Sequence, residues 1–211
     1  MELYFSPLAC SLATRIALYE AGADATYRQV DLRAKRADDG SDFFAINPMG
    51  QVPVVRTDDG ALLTENPVVL QYVADQFPDS GLAPKGGPER YRLQQWLNFV
   101  TSELHKLVFN LMFDPTGGDE VKAFALKQAD KRFARLDKYL TGRDFLLDRF
   151  TVADAYLVTV LNWTRAADID LSQWPAVLGY YKRVTARPAV AKAIGEEFKL
   201  YEEEQKKRSA A

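Results

Sequence analysis

The chain has 211 residues, 47% of them hydrophobic and 27% charged, which allows a substantial core but not two large domains. Its net charge of −2, with acids and bases interspersed, offers no electrostatic footprint for nucleic acid or an anionic membrane. One cysteine excludes an intrachain disulfide, no long apolar run is present, and Met1-Glu2-Leu3 lacks signal-peptide character, so the cytoplasm is the expected compartment.

The first half alternates strand and helix patterns. Residues 2–5 read as a short strand, residues 11–21 carry helical spacing (Leu12, Ile16; Ala13, Ala17) that stops at Gly22, and residues 26–30 read as a second strand. If the helix is a right-handed crossover, the two strands are parallel. A polar, poorly patterned stretch (31–42) and a helical turn (43–46) lead to the run from Asn47 to Asn66. Pro53 cannot donate to a sheet ladder, and it biases Val52 toward an extended conformation, so the Val52 N–H and C=O are available to a ligand's backbone. Asp59-Gly60 between Val54-Val55 and Ala61-Leu62-Leu63 is a hairpin signal. Asn66 as N-cap and Pro67 as first helical residue begin the next helix, whose free N–H groups attract a carboxylate. Residues 47–66 thus read as a clamp for a peptide-like acid.

Residues 77–88 contain three prolines and three glycines and mark a boundary. This divides the chain into a first domain (1–77), a linker (78–88) and an all-helical domain (89–211). Residues 89–112 carry an apolar stripe at Leu93, Leu97, Val100, Leu104, Leu107 and Leu111. Residues 121–140 are amphipathic, whereas 153–163 are apolar nearly all round and should form the buried centre. Thr151-Val152-Ala153-Asp154 before that helix fits a capping box. Helices at 174–185 and 189–201 complete the set, and Lys206-Lys207-Arg208 reads as a solvated helix end.

Cys10 lies at the junction of the first strand and first helix. A helix N-terminus lowers a thiol's pKa, but the dipole contributes only about 0.3–1 kcal/mol, less than the ~1.36 kcal/mol of one pKa unit. The position suits a reactive thiol; the dipole alone does not make one. With no second cysteine, an internal dithiol cycle is impossible. His105, the one histidine, shares a helical face with Asn98 and Ser102, and pattern alone leaves that face open to solvent or to a cleft.

The Val-Pro hairpin, the Thr64-Glu65-Asn66 helix start and the trailing helical half together resemble a cytosolic glutathione transferase. Within that family the chain is most similar to the bacterial beta class, through Ala9-Cys10-Ser11-Leu12, Asn47-Pro48-Met49-Gly50-Gln51-Val52-Pro53, Glu103-Leu104-His105-Lys106 and the capping segment Phe150 to Tyr156. The resemblance implies a thioredoxin-like βαβαββα domain followed by an all-α domain, a cis bond before Pro53, and a homodimer in which Tyr91 and Phe99 are interface material. It implies an enzyme that conjugates glutathione, as substrate, to small hydrophobic electrophiles, with no metal, nucleic acid or membrane partner. Cys10 and His105 are the implied catalytic residues. Cys10 contacts the glutathione sulfur, although Tyr4 and Ser11 are alternatives, and His105 holds or deprotonates the thiol with a pKa near neutral.

Lys35, Gln51, Val52, Glu65 and Asn66 are implied contacts to the glutathione backbone. Lys106 adds positive charge beside the thiolate, and Asn98, Ser102 and Glu103 reach the γ-glutamyl end, partly from the neighbouring subunit. Two departures stand out: Asn66-Pro67 replaces the family's small residue and so rearranges the carboxylate contact, and Leu107-Val108 replaces a glycine and so narrows the second-substrate pocket. A redox role for Cys10 on glutathione mixed disulfides or peroxides, and a non-catalytic carrier, are the competing readings.

Overall fold

Strand β1 (Glu2–Phe5) is central, flanked by β2 (Thr26–Asp31) and β3 (Arg36–Ala37) on one side and by β4 (Val54–Arg56) and β5 (Leu62–Leu63) on the other, in the computed structural model, which describes residues 1–209. Being central, β1 is covered on both faces, and Leu3, Tyr4 and Phe5 are all buried. It pairs in parallel with β2, Glu2 opposite Thr26, and antiparallel with β4, Leu3 opposite Val55. The expected hairpin joins β4 to β5 with Val55 opposite Leu63, and Gly60 takes the left-handed conformation (φ +88°) at its tip. The sheet has five strands where the pattern suggests four. The fifth, β3, is two residues long, too short to show alternation, and pairs Ala37 with Val30.

Helix α1 (Leu12–Glu20) is buried at every position from Leu12 to Leu18. That follows from its neighbours: it touches β1, α2 (Asn66–Gln76) and α8 (Pro188–Ser209). The sequence groups α8 with the helical half, but the chain from Arg187 onward forms one compact unit with Met1–Leu82. Its buried residues Val190, Ala193 and Glu197 recur at helical spacing. It also runs eight residues beyond the expected end at Tyr201, where Arg208 meets Glu204 at 3.3 Å across one turn and basic residues suit the C-terminal dipole.

The other unit, Ala83–Ala186, opens inside the proline- and glycine-rich stretch and is helical. It holds α3 (Gly87–Phe99), a π-helical stretch (Val100–Phe109), α4 (Asn110–Met112), α5 (Asp119–Leu140), α6 (Val152–Asn162) and α7 (Pro175–Thr185). As its composition suggests, α6 is hidden from Val152 through Leu161. Its start is the expected capping box. Asp154 Oδ2 accepts from the Thr151 N–H at 2.9 Å and the Thr151 hydroxyl at 3.0 Å. Asp154 Oδ1 accepts from the Leu146 N–H and the Tyr180 hydroxyl, both at 2.9 Å. Burial pushes this carboxyl up to about 6 against the pull of its four donors. No helix among the described residues is long and apolar enough to cross a membrane.

Asp154→Ala leaves these donors without an acceptor inside the unit. At roughly 1–3 kcal/mol for each buried group left unsatisfied, the loss should be at least about 3 kcal/mol, measured by urea unfolding. A loss below 1 kcal/mol would show that the network is not what holds the start of α6.

Candidate functional site

The loop between β1 and α1 is held from several sides. Leu8 has a left-handed φ of +59°, rare for a leucine, and its N–H donates to Glu197 Oε2 at 2.8 Å. Glu197, fully buried on α8, also accepts from Arg15 Nε at 2.8 Å. The Arg15 guanidinium lies 4.2 Å from the Phe5 ring centroid and 4.1 Å from that of Tyr27. Burial pushes the Glu197 carboxyl up, against the opposing pull of Arg15 and the Leu8 N–H. Ser11, also fully buried, closes the loop by accepting from the Ser6 N–H at 3.2 Å and donating to the Ser6 carbonyl at 3.3 Å.

Cys10 follows this braced turn at the start of α1 and is half-buried. Its thiol donates to the Val52 carbonyl at 3.1 Å, and its own carbonyl accepts from the Asn66 amide at 3.0 Å. The other two candidates for the sulfur are engaged elsewhere. The Tyr4 hydroxyl donates to Glu2 at 2.8 Å and accepts from Arg56 at 2.9 Å, while its ring packs with Val30, Phe43, Val52 and Val54. Ser11 is spent on Ser6.

The clamp folds around Asn47, whose amide donates to the Gln51 carbonyl at 2.7 Å and whose Oδ1 accepts from the Met49 N–H at 3.1 Å. Gly50, at φ +59°, is required here: a Cβ would lie 2.8 Å from the Phe44 ring and 3.2 Å from the Lys35 side chain. Lys35 Nζ donates to the Gly50 carbonyl at 2.9 Å, one of an ammonium's three donors. Gln51 is exposed and Val52 is buried, on either side of the turn into the cis Val52–Pro53 bond. The Val52 carbonyl, read from sequence as open to a ligand, takes the Cys10 thiol; its N–H donates to no acceptor among the described residues.

The start of α2 differs from expectation by one residue. Glu65, exposed and at φ +64°, occupies the cap position, and Asn66 is the first helical residue with Pro67 behind it. Neither side chain caps the helix. Asn66 is buried, and its amide is used on α1: it donates to the Cys10 carbonyl and accepts from the Thr14 hydroxyl at 3.3 Å. The unusual Asn66-Pro67 pair therefore ties α2 to the Cys10 turn.

In the helical unit, Asn98 and Ser102 are exposed, and both bond back to their own helix, Asn98 to the Gln94 carbonyl at 2.9 Å and Ser102 to the Asn98 carbonyl at 3.0 Å. Glu103 is held by Arg132 at 2.7 Å, and Lys106 is exposed. Tyr91 is 72% exposed, while Phe99 packs edge-on against Trp96. The single polar face expected for Asn98, Ser102 and His105 does not hold. From Val100 the bonding is i to i+5, as from the Asn110 N–H to the His105 carbonyl. The wider turn carries His105 off that face and into a half-buried position among aromatic rings.

There, His105 Nδ1 lies 2.7 Å from the Tyr156 hydroxyl, and the imidazole meets the Trp163 ring edge-on at 4.9 Å. Trp163 also packs against Phe109 at 5.6 Å and Phe113 at 6.3 Å. Burial, with a lesser contribution from the Lys106 charge, pushes His105 down to about 4, not to the near-neutral value expected from sequence. The ring is neutral at pH 7. Among the described residues no group of His, Cys, Asp and Glu is placed to hold a metal ion.

Sequence reasoning did not single out Arg15, Glu197, Tyr156 or Trp163. Two signals were available: an acid in register with Val190 and Ala193 on α8, and a tyrosine inside an otherwise apolar helix, whose hydroxyl needs a partner.

The profile of the glutathione S-transferase N-terminal domain matches residues 9–76, and that of the glutathione S-transferase C-terminal domain matches residues 100–188. The chain is 41% identical to glutathione S-transferase GstA of Escherichia coli O157:H7, over 93% of this chain and 98% of that protein. Among solved structures, a sphingomonad glutathione S-transferase complexed with glutathione is 46% identical with a TM-score of 0.90, covering 93% of this chain and 98% of its own. The bacterial beta-class enzyme of Sphingomonas chungbukensis is 43% identical, also with a TM-score of 0.90 and the same coverage. With its sheet unit matched by one profile and its helical unit by the other, the chain belongs to the glutathione S-transferase family, and within it to the neighbourhood of the bacterial beta class.

Proposed function

We propose that this transferase binds glutathione on the Asn47–Asn66 clamp and joins its sulfur to small hydrophobic electrophiles, in the cytoplasm and as a homodimer. The observation that carries this reading is the convergence on the Cys10 turn: the thiol meets the Val52 carbonyl, and the Asn66 amide holds the Cys10 carbonyl. The Val52 N–H pairs with the cysteinyl carbonyl of the ligand. Glu65, held exposed at a left-handed φ of the kind that clusters at functional sites, receives the γ-glutamyl ammonium. The two donors left on Lys35 suit the glycyl carboxylate. The resemblance assigns Asn98, Ser102 and Glu103 to the γ-glutamyl end, and Lys106 to favouring the thiolate.

In the reaction the bound thiol releases its proton to water, and the thiolate attacks the electrophilic carbon. The C–S bond forms as the leaving group departs with the electron pair. The resemblance assigns Cys10 and His105 to the sulfur, where binding beside the electrophile raises the rate by proximity.

The wild-type chain should be retained on immobilised glutathione and should conjugate 1-chloro-2,4-dinitrobenzene; failure of both would overturn the reading. His105→Ala should lower kcat/KM by about 10- to 100-fold, the worth of one hydrogen bond to a charged sulfur. Cys10→Ala separates conjugation from redox chemistry. It should leave resin binding intact and abolish turnover of glutathione mixed disulfides, and full thioltransferase activity in this variant would rule out nucleophilic Cys10.

Stability gives an independent reading of His105. Its folded pKa of about 4 lies below the ordinary 6.5, so the unfolded chain takes up the proton first as pH falls. The stability this contributes is complete above pH 6.5 and is lost as pH falls through the window down to about 4. The stability difference between wild type and His105→Gln, from urea unfolding, should therefore shift against wild type between pH 7 and pH 4.5. A difference constant with pH would contradict a neutral, buried imidazole.

A further inference from the structure

Lys35 and Phe44 meet over Gly50, and the backbone of each is held independently of that meeting. Lys35 has a left-handed φ of +55°, a conformation that a residue with a Cβ keeps only where its surroundings hold it. Here Asp31 Oδ1 accepts from the Arg33 and Ala34 N–H groups at 2.8 and 3.0 Å, and the Lys35 carbonyl accepts from the Phe43 N–H at 2.8 Å. The last bond ties the lysine to a 3-10 turn (Phe43–Ala45), whose cap, Asp42, accepts from the Phe44 N–H at 3.0 Å. Phe43 is fully buried in the cluster with Tyr4, Val30, Val52 and Val54, and its neighbour Phe44 is turned outward and 47% exposed.

That outward ring rests on the clamp. A Cβ on Gly50 would lie 2.8 Å from the Phe44 ring, 3.2 Å from Lys35 Cδ and 3.3 Å from Lys35 Cε, so ring and lysine stem crowd the same glycine. Lys35 Nζ lies 5.9 Å from the ring centroid, within reach of the ring's attraction for a cation, and continues to the Gly50 carbonyl at 2.9 Å. A lysine in open solvent samples many rotamers. One laid against a ring and bonded at its tip has less freedom to lose when an anion arrives.

We propose that Phe44 is a positioning residue for glutathione, its ring holding the Lys35 stem against Gly50 so that the ammonium is already in place for the glycyl carboxylate. The role rests on the assignment of Lys35 to that carboxylate given above. Phe44 acts through the lysine and touches no reacting atom. It therefore sets affinity and the preference for a free glycyl carboxylate, and leaves the chemical step alone. Lys35, Phe44 and Gly50 all belong to the sheet unit.

Calorimetric titration with glutathione and with its glycyl ethyl ester, which lacks the negative end, measures that preference. Wild type should bind glutathione at least about tenfold more tightly than the ester. Phe44→Ala should weaken glutathione about fivefold and leave ester affinity within about twofold. Its kcat with 1-chloro-2,4-dinitrobenzene should stay within about twofold of wild type. Equal weakening of both ligands is what a merely structural contact would give, and it would overturn the proposal. Phe44→Tyr should restore the preference; a tyrosine variant as unselective as the alanine one counts against the ring.

Lys35→Met should abolish the preference, and adding Phe44→Ala to it should cost no further affinity, because the ring acts through the lysine. Losses that add would sink the idea. Should Phe44→Ala lose cooperative urea unfolding, Phe44→Leu takes its place, since leucine covers Gly50 without an aromatic face. Its preference should fall at least about twofold, and an unchanged preference overturns the role. A wild type that binds neither ligand defeats the functional reading and this role with it. An active wild type that binds the two ligands equally defeats the role of Lys35 and Phe44 alone.

Discussion

The sheet unit depends on a buried ion pair between residues far apart in the chain. Arg15 and Glu197 are 182 positions apart, and both are withdrawn from water. Such a pair loses solvation worth several kcal/mol per ion, and regains it only where geometry is good and the remaining donors and acceptors are used. Here they are. The guanidinium lies against two aromatic rings and also reaches the Tyr19 hydroxyl, and the second carboxylate oxygen takes the Leu8 N–H. An apolar pair of the same volume would fill the space, but it could not accept from that N–H. The pair therefore fixes the turn carrying Cys10 as well as the seating of α8.

The helical unit solves the same problem with a single carboxylate. Asp154 gathers two backbone N–H groups and two hydroxyls where no water reaches, anchoring α6 and with it the Tyr156 hydroxyl. Rigidity passes from a cap to a side chain two residues along, and from there to the imidazole. Both units hold their chemical groups through satisfied buried polar contacts set within apolar packing.

Much of this was legible in the residues. Pro53, Asp59-Gly60 and the alternating runs around them gave the hairpin, because proline and glycine act through local backbone sterics. Thr151 and Asp154 gave the cap of α6 for the same reason. What escaped was non-local. Two residues of β3 carry no periodicity. The one-residue shift at Glu65 follows from Asn66 being drawn onto α1 by Thr14 and the Cys10 carbonyl, partners more than fifty positions away. His105 was misplaced because a 3.6-residue period was applied to a stretch bonded i to i+5. Its low basicity comes from rings at Tyr156 and Trp163 that only the folded chain assembles around it.

The placement of α8 has a consequence for synthesis. The sheet unit takes its opening segment from one side of the helical unit and its covering helix from the other, with Ala83–Ala186 between them. At translation rates of about 5–20 residues per second, the intervening segment takes roughly 5–20 s to emerge. Through that interval the face of α1 that meets α8 is bare and Arg15 has no carboxylate. The helical unit, continuous in sequence, can fold on the ribosome while the sheet unit waits. A nascent chain paused in this window exposes an apolar surface with an unpaired guanidinium at its centre, the state in which it is open to chaperones and to aggregation.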